Sequence, residues 1–204
     1  MNTTKLLAAA SALLLVTLST ATGQAAKPAA KPVRVASYAF HGDQLGVMTL
    51  DGFAAKYIVV GGLNDHCEAV AAEDGGVAGE QACSRPDDDS IADVEAAIRY
   101  YFLEGKLEII SVMFGRWKFA DVRDAMIHKY GVPRATRKAY RNGFGITFSG
   151  LVLTWDNGVS DIEMEEMGEL CVGDHSSTDD MSSVTFEHKG LMAKRSRLLG
   201  RRNP

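Results

Sequence analysis

Two hydrophobic periods alternate along the chain. In "TLDGFAAKY" the apolar residues Leu50, Phe53, Ala54 and Tyr57 fall at i, i+3, i+4 and i+7, one face of a helix, with Thr49 as N-cap and Gly61 and Gly62 as the stop. "FADVRDAMIHKYGVP" repeats the pattern more fully. Phe119, Val122, Met126, Ile127 and Tyr130 form one stripe, and Gly131 and Pro133 end the helix. Elsewhere the period falls to two. "AIRYYFLEGKLEIISVMF" is a pair of β-rich runs meeting at Glu104 and Gly105, and "LVLTWDNGVSDIEM" is another pair meeting at Asn157 and Gly158, residues that favour a type I′ turn. A further hairpin is expected at Asn142 and Gly143, and "SVTFEH" predicts a last strand with Val184 and Phe186 on one face. "SIADVEAAI" reads either as a short helix with Ser90 and Asp93 in capping positions or as the approach to the next strand.

The two halves are alike. Each runs from a helix ending in Lys-Tyr to an aromatic strand, an acidic or amide residue, a glycine and a returning strand. "YYFLEGKLEII" then corresponds to "LTWDNGVSDIEM", and tandem helix-plus-hairpin repeats occupy 37–115 and 116–190. The fold class that buries such helices and strands together is α+β in two layers, an antiparallel sheet with amphipathic helices on one face. Trp117 and Trp155, with Phe102, Phe114, Phe148 and Phe186, stand where strands meet helix starts and are expected in the core.

The chain ends change what the composition means. Lys5, an apolar run from Leu6 to Leu18 and a polar exit with small residues up to Ala25 form the pattern of a secretory signal peptide over 1–25. That run of about 13 residues is shorter than the roughly 20 of a spanning helix, so no membrane span is expected after cleavage. The expectation is a bacterial periplasmic or secreted protein. "AAKPAAKP" reads as a linker over 26–33, and 193–204, with five cations and no acid, as a mobile basic tail. The single folded domain is then 34–192, long enough for a sizeable core.

In an oxidising compartment three cysteines pose a pairing question. Cys67 and Cys83 flank a glycine-rich polar stretch with little else to hold it, and a disulfide there closes a loop of about 17 residues, worth roughly 3 kcal/mol. Cys171 and His175 admit a thiol nucleophile with an imidazole base. The polar segment around them supplies no orienting partner, so they read as structural.

A composition of 46% hydrophobic and 24% charged residues, with a net charge of −4, excludes disordered, collagen-like and multi-span membrane classes. Local charge says more. From Arg116 to Arg141 there are eight Lys and Arg residues against Asp121 and Asp124, whereas from Asp156 to Glu187 there are ten acids and no Lys or Arg. Such opposite patches make a directional field. Arg134, Arg137, Lys138 and Arg141 are the candidate contact for an anionic partner such as lipopolysaccharide, phospholipid or an acidic protein. The competing reading pairs them internally with "DIEMEEMGE". Nucleic acid is a poor partner for a net acidic exported chain with no stacking platform. Asp87, Asp88 and Asp89, like Asp174, Asp179 and Asp180, lack the spacing of a calcium loop, and His41, His66, His128, His175 and His188 lack zinc spacing, so no metal or cofactor is expected.

The order of helix, Lys-Tyr-Gly and Pro133, aromatic strand, turn and strand resembles that of many small uncharacterised proteobacterial exported proteins. The duplicated helix-plus-antiparallel-sheet plan is similar to the β-lactamase-inhibitor-protein type fold, also used by a small accessory lipoprotein of outer-membrane assembly. The resemblance spans Leu45 to His188 and implies a two-layer α+β fold with a protein-binding role. No cysteine precedes Cys67 to carry a lipid. The favoured function is an exported non-enzymatic binding or envelope-accessory protein for an unidentified protein or envelope component, its oligomeric state left open. The alternative is a small exported hydrolase whose site is assembled from distant residues, Asp161 and Glu163 or Cys171 and His175. A closed, convergent polar pocket would favour the enzyme and a broad open sheet face the binding protein.

Overall fold

The computed structural model describes residues 35–58, 62–85, 89–141, 147–167 and 181–200. A short hairpin, β1 (Ala39–Phe40) and β2 (Asp43–Gln44), leads into helix α1 (Leu50–Tyr57), the single turn α2 (Leu63–His66), β3 (Cys67–Ala69) and β4 (Glu80–Ser84). A small hairpin, β5 (Ser90–Ile91) and β6 (Val94–Glu95), precedes β7 (Ala97–Leu103) and β8 (Lys106–Gly115). The second half has a 3-10 turn (Arg116–Lys118), α3 (Phe119–Tyr130), β9 (Arg134–Arg141), β10 (Thr147–Asp156), β11 (Ser160–Glu165), β12 (Met181–His188) and α4 (Lys189–Gly200).

One antiparallel sheet of eight strands runs in the order β3-β4-β7-β8-β12-β11-β10-β9. Each half therefore contributes a helix and then four strands laid from the sheet's edge inwards, and the halves join where their last strands, β8 and β12, pair. The equivalence of hairpins inferred from sequence is one strand out of phase. The β7–β8 turn joins the third and fourth strands of its half, whereas the β10–β11 turn joins the second and third. Tight-turn chemistry sits at different places in the two halves, so matching turns misaligns the strands.

Glu104 (φ 49°) and Gly105 (φ 73°) both adopt the left-handed conformation of a type I′ turn. At Asn157 and Gly158 only the glycine does, with φ 84°. This corrects the type I′ expectation: the Asn157 side-chain oxygen instead accepts the N–H groups of Val159 (3.0 Å) and Ser160 (2.8 Å). In "SIADVEAAI" the helical reading fails because Ala92 (φ 52°) and Asp93 (φ 62°) form the β5–β6 turn.

Period two sorts the strands into faces. Tyr100 and Phe102 of β7, Ile110, Val112 and Phe114 of β8, Val184 and Phe186 of β12, Ile162 and Met164 of β11, and Leu153 and Trp155 of β10 are buried together. Both predicted helices cover this face. Phe53 of α1 lies 5.0 Å from the Tyr100 ring and 5.5 Å from Phe102, centroid to centroid, and Thr49 accepts the Gly52 N–H as expected of its N-cap. In α3, Phe119, Val122 and Met126 are buried, the Tyr130 hydroxyl donates to the Ala39 carbonyl, and the Trp155 indole N–H donates to the Gly131 carbonyl at 2.7 Å. Asp43 is fully buried and ties the β1–β2 hairpin to α1, accepting from Lys56 Nζ and the Tyr57 hydroxyl, both at 2.6 Å. Burial, and then the second bond, hold the Tyr57 phenol well above its ordinary pKa.

The segment from 193, expected as a mobile tail, is helical through Gly200, and its described cations are engaged. Arg195 Nε donates to the Glu80 carboxylate at 3.2 Å and its terminal nitrogen to the Gly75 carbonyl at 2.7 Å; Lys194 pairs with Glu104, and Lys189 with Asp156 at 2.5 Å. Glu80 sits opposite Leu103 and so alternates with Phe102, away from α1. α4 therefore lies on the face of the sheet opposite α1 and α3. At this corner a bulge makes Glu108 the extra residue of β8, between Leu107 opposite Phe102 and Ile109 opposite Tyr101.

Cys67 and Cys83 are directly opposite each other in β3 and β4 and form a disulfide across a sequence separation of 16. The stretch between them is better held than its composition suggests, because β4 also pairs with β7 and Arg195 grips Gly75. No helix among the described residues is long and apolar enough to cross a membrane. Cys171, His175, the Asn142–Gly143 turn, Asp87, Asp88, Asp174, Asp179 and Asp180 lie outside the described residues.

Candidate functional site

The strand positions that point away from α1 and α3 build a second face. Reading the pairing registers across the sheet, Arg99, Ser111, Thr185, Glu163, Thr154 and Arg134 stand directly opposite one another in succession. This polar row crosses six strands and ends in a cation at each side, with an acid near its middle. Strand spacing makes it about 24 Å long. All six residues are exposed or half-buried. A parallel row on one side comprises Tyr101, Ile109, Glu187 and Asp161, and one on the other side Ala97, Met113, Ser183 and Glu165.

Asp161 and Glu163, named from sequence as candidate acids, alternate with buried Ile162 and so share this face. The fold brings them to Glu187, Thr154 and Thr185 around a shallow cavity of about 140 Å³. Burial raises the pKa of all three carboxyls. For Asp161, nearby Lys189 opposes the rise and Asp156 adds to it; for Glu163, Glu165 adds to it; for Glu187, Asp161 and Glu163 do. Desolvation in the recess is the common cause, and repulsion from neighbouring carboxyls adds to it. Such a set favours cationic or hydrogen-bond-donating groups on whatever covers it.

The basic quartet does not form one patch. β9 is the last strand of the sheet, and alternation sends Arg134 and Lys138 to the face opposite α1 and α3 but Arg137 to the other. Lys138 Nζ bonds Glu165 Oε1 at 2.9 Å, so the internal pairing weighed from sequence holds for this residue. Arg134 and Arg137 are exposed; Arg141 ends the strand, opposite Thr147.

Trp155 is buried as expected, but Trp117 is 77% exposed, against its expected place in the core. It belongs to the 3-10 turn over Arg116–Lys118, outside the stripe of α3, and its ring occupies the space that a Cβ on Gly115 would take. With Val94, Ala96, Met113 and Met181 it lines an apolar groove of about 580 Å³. Sequence reasoning also missed Arg99, Ser111, Thr154, Thr185 and Glu187. Their only local signal is a polar residue between two apolar ones. What makes them neighbours is register between strands far apart in the chain.

No protein-family model, no curated protein and no solved structure matches this chain.

Proposed function

We propose that the protein is an exported, non-enzymatic binding module that holds a protein of the bacterial envelope against the face of its sheet opposite α1 and α3, beside α4. The observation that carries this reading is the polar row from Arg99 to Arg134, about 24 Å of solvent-facing side chains with alternating charge character. That length suits a macromolecular surface, and charge alternation of this kind sets register and partner choice. The duplicated helix and four-strand plan, with both helices on one side, supports a relationship to the β-lactamase-inhibitor-protein type fold.

A hydrolase using Asp161 and Glu163 is the weaker reading. Ligand pockets commonly enclose about 300–1,000 Å³, whereas the recess around these acids holds about 140 Å³. Acid–base catalysis by two carboxyls requires environments that push their pKa values apart, and here Asp161, Glu163 and Glu187 all move upwards.

The test is site-specific photo-crosslinking from Thr154 and Thr185 of the mature chain in envelope extract. A discrete adduct of one protein, abolished by Glu163→Arg, is expected. Absence of any adduct from both positions, with the chain folded and cross-linker incorporated, refutes the proposal.

A further inference from the structure

We infer that β9 is a pairing site for an acidic, extended segment of a partner protein, which adds to the sheet as a ninth strand. This rests on the reading of the chain as a binding module but uses a surface separate from the polar row's centre.

The two edges of the sheet are built differently. At one edge β3 is three residues long and stapled to β4 by the disulfide. At the other, β9 runs for eight residues and, among the described residues, pairs with β10 alone. An edge strand paired on one side leaves alternate N–H and C=O groups directed outwards, a template for another strand. Arg134, Ala135, Thr136, Arg137 and Ala139 are exposed although their side chains alternate between the two faces. Neither the helix layer nor α4 covers β9. Long open edges of this kind are normally guarded, commonly by charge.

The guard here discriminates. If two copies paired through β9 about a two-fold axis, the register centred on Arg137 would set that residue opposite its own copy, and the register centred on Thr136 would set Arg134 opposite Lys138. Like charges directly opposite destabilise a strand pair, so self-pairing is rejected. The same positions welcome acids. Lys138 is engaged by Glu165, which leaves Arg134 and Arg137 as the anchors. They are three residues apart and therefore on opposite faces of the sheet, so an incoming strand matches them with two acids also three residues apart. On the helix side the small residues Ala135 and Ala139 leave room for its other side chains. Backbone bonds supply affinity and the two arginines supply register and choice, the usual division in strand addition.

The probe is a synthetic eight-residue peptide of Thr and Val with two Glu residues three apart, titrated into the full mature chain at low and moderate salt. Binding is expected to bring hydrogen-exchange protection to 134–139, to weaken with salt, and to be lost when the peptide is N-methylated on the edge that faces β9. Arg134→Glu with Arg137→Glu should weaken the Glu peptide at least tenfold and favour the Lys version with the thermal midpoint unchanged, and Arg137→Glu alone, outside the polar row, should weaken it at least threefold with the photo-crosslinks from Thr185 unchanged. The inference is overturned if the Glu peptide fails to bind, binds the double variant equally, or protects another segment. Arginine-dependent binding to anionic vesicles without peptide binding, or self-association with protection of β9, also overturns it. Because the crosslinks report the face opposite α1 and α3 and exchange reports β9, either proposal can fail alone.

Discussion

Glu108 offers the sharpest test of the energetics. It is the extra residue of the β8 bulge and fully buried, and neither carboxylate oxygen has a hydrogen-bond partner among the described residues. Burial pushes its pKa up to about 7; Glu80 and Glu187 push the same way and Arg195 of α4 pulls back. In the unfolded chain the group returns to the ordinary value near 4.5. The folded state therefore holds its proton more tightly. Below about pH 4.5 both states are protonated and the group is neutral in its effect. As pH rises to about 7 the folded state loses stability, and above 7 the full penalty applies. The shift of about 2.5 pH units corresponds to an upper bound of about 3 kcal/mol at 1.36 kcal/mol per unit. Glu108→Gln keeps the shape and removes the charge. At pH 8 it should stabilise the protein by up to about 3 kcal/mol, roughly 6–12 °C in Tm for a chain of this size; at pH 4.5 the two proteins should coincide within about 0.5 kcal/mol. Urea and thermal unfolding of both proteins between pH 4.5 and 8 measure the difference. The contributions of Asp161 and Glu163 cancel in it, whereas the repulsion between Glu187 and Glu108 is part of what it measures. A variant that is equally or less stable at every pH, with no pH-dependent gap, refutes the account of a buried ionised carboxyl.

Removing the cation at the same corner should do the reverse: Arg195→Ala strands the Glu80 side chain, which is 1% exposed, and should cost roughly 3 kcal/mol, read by urea unfolding; less than about 0.5 kcal/mol would mean that α4 is not docked there. Replacing Cys67 and Cys83 by Ser should cost roughly 3 kcal/mol, and added reductant should reproduce that loss in the parent protein but leave the variant unchanged. Exposed Trp117 and buried Trp155 should give two emission components. Trp117→Phe should remove the red-shifted one, which acrylamide quenches, and move stability by no more than about 0.5 kcal/mol.

What was legible in the sequence was most of what short-range period and turn chemistry set, the Asn157–Gly158 turn type and the β5–β6 hairpin excepted. The stripe from Phe119 to Tyr130 became α3, Thr49 capped α1, and Glu104 and Gly105 made their turn, because each depends on residues within one helical turn or one hairpin. The disulfide was legible from loop length and from the expected redox compartment. Asp161 and Glu163 were singled out as acids, but nothing local indicated that Glu187, from a strand about 25 residues later, would stand beside them. Tertiary structure decided that, and every other neighbour relation that rests on register. The pairing of β8 with β12 joins the halves and lines up Ser111 with Thr185; the sheet order leaves β9 outermost; and the bulge buries Glu108 beneath a helix whose composition reads as a solvated tail. The physical reason is the range of the forces. Propensity and capping act over a few bonds and are written where they act. Burial and charge pairing act between strands brought together only when the whole sheet closes, so a basic tail becomes a docked helix once the acids of β4 and the β7–β8 turn are placed to receive it.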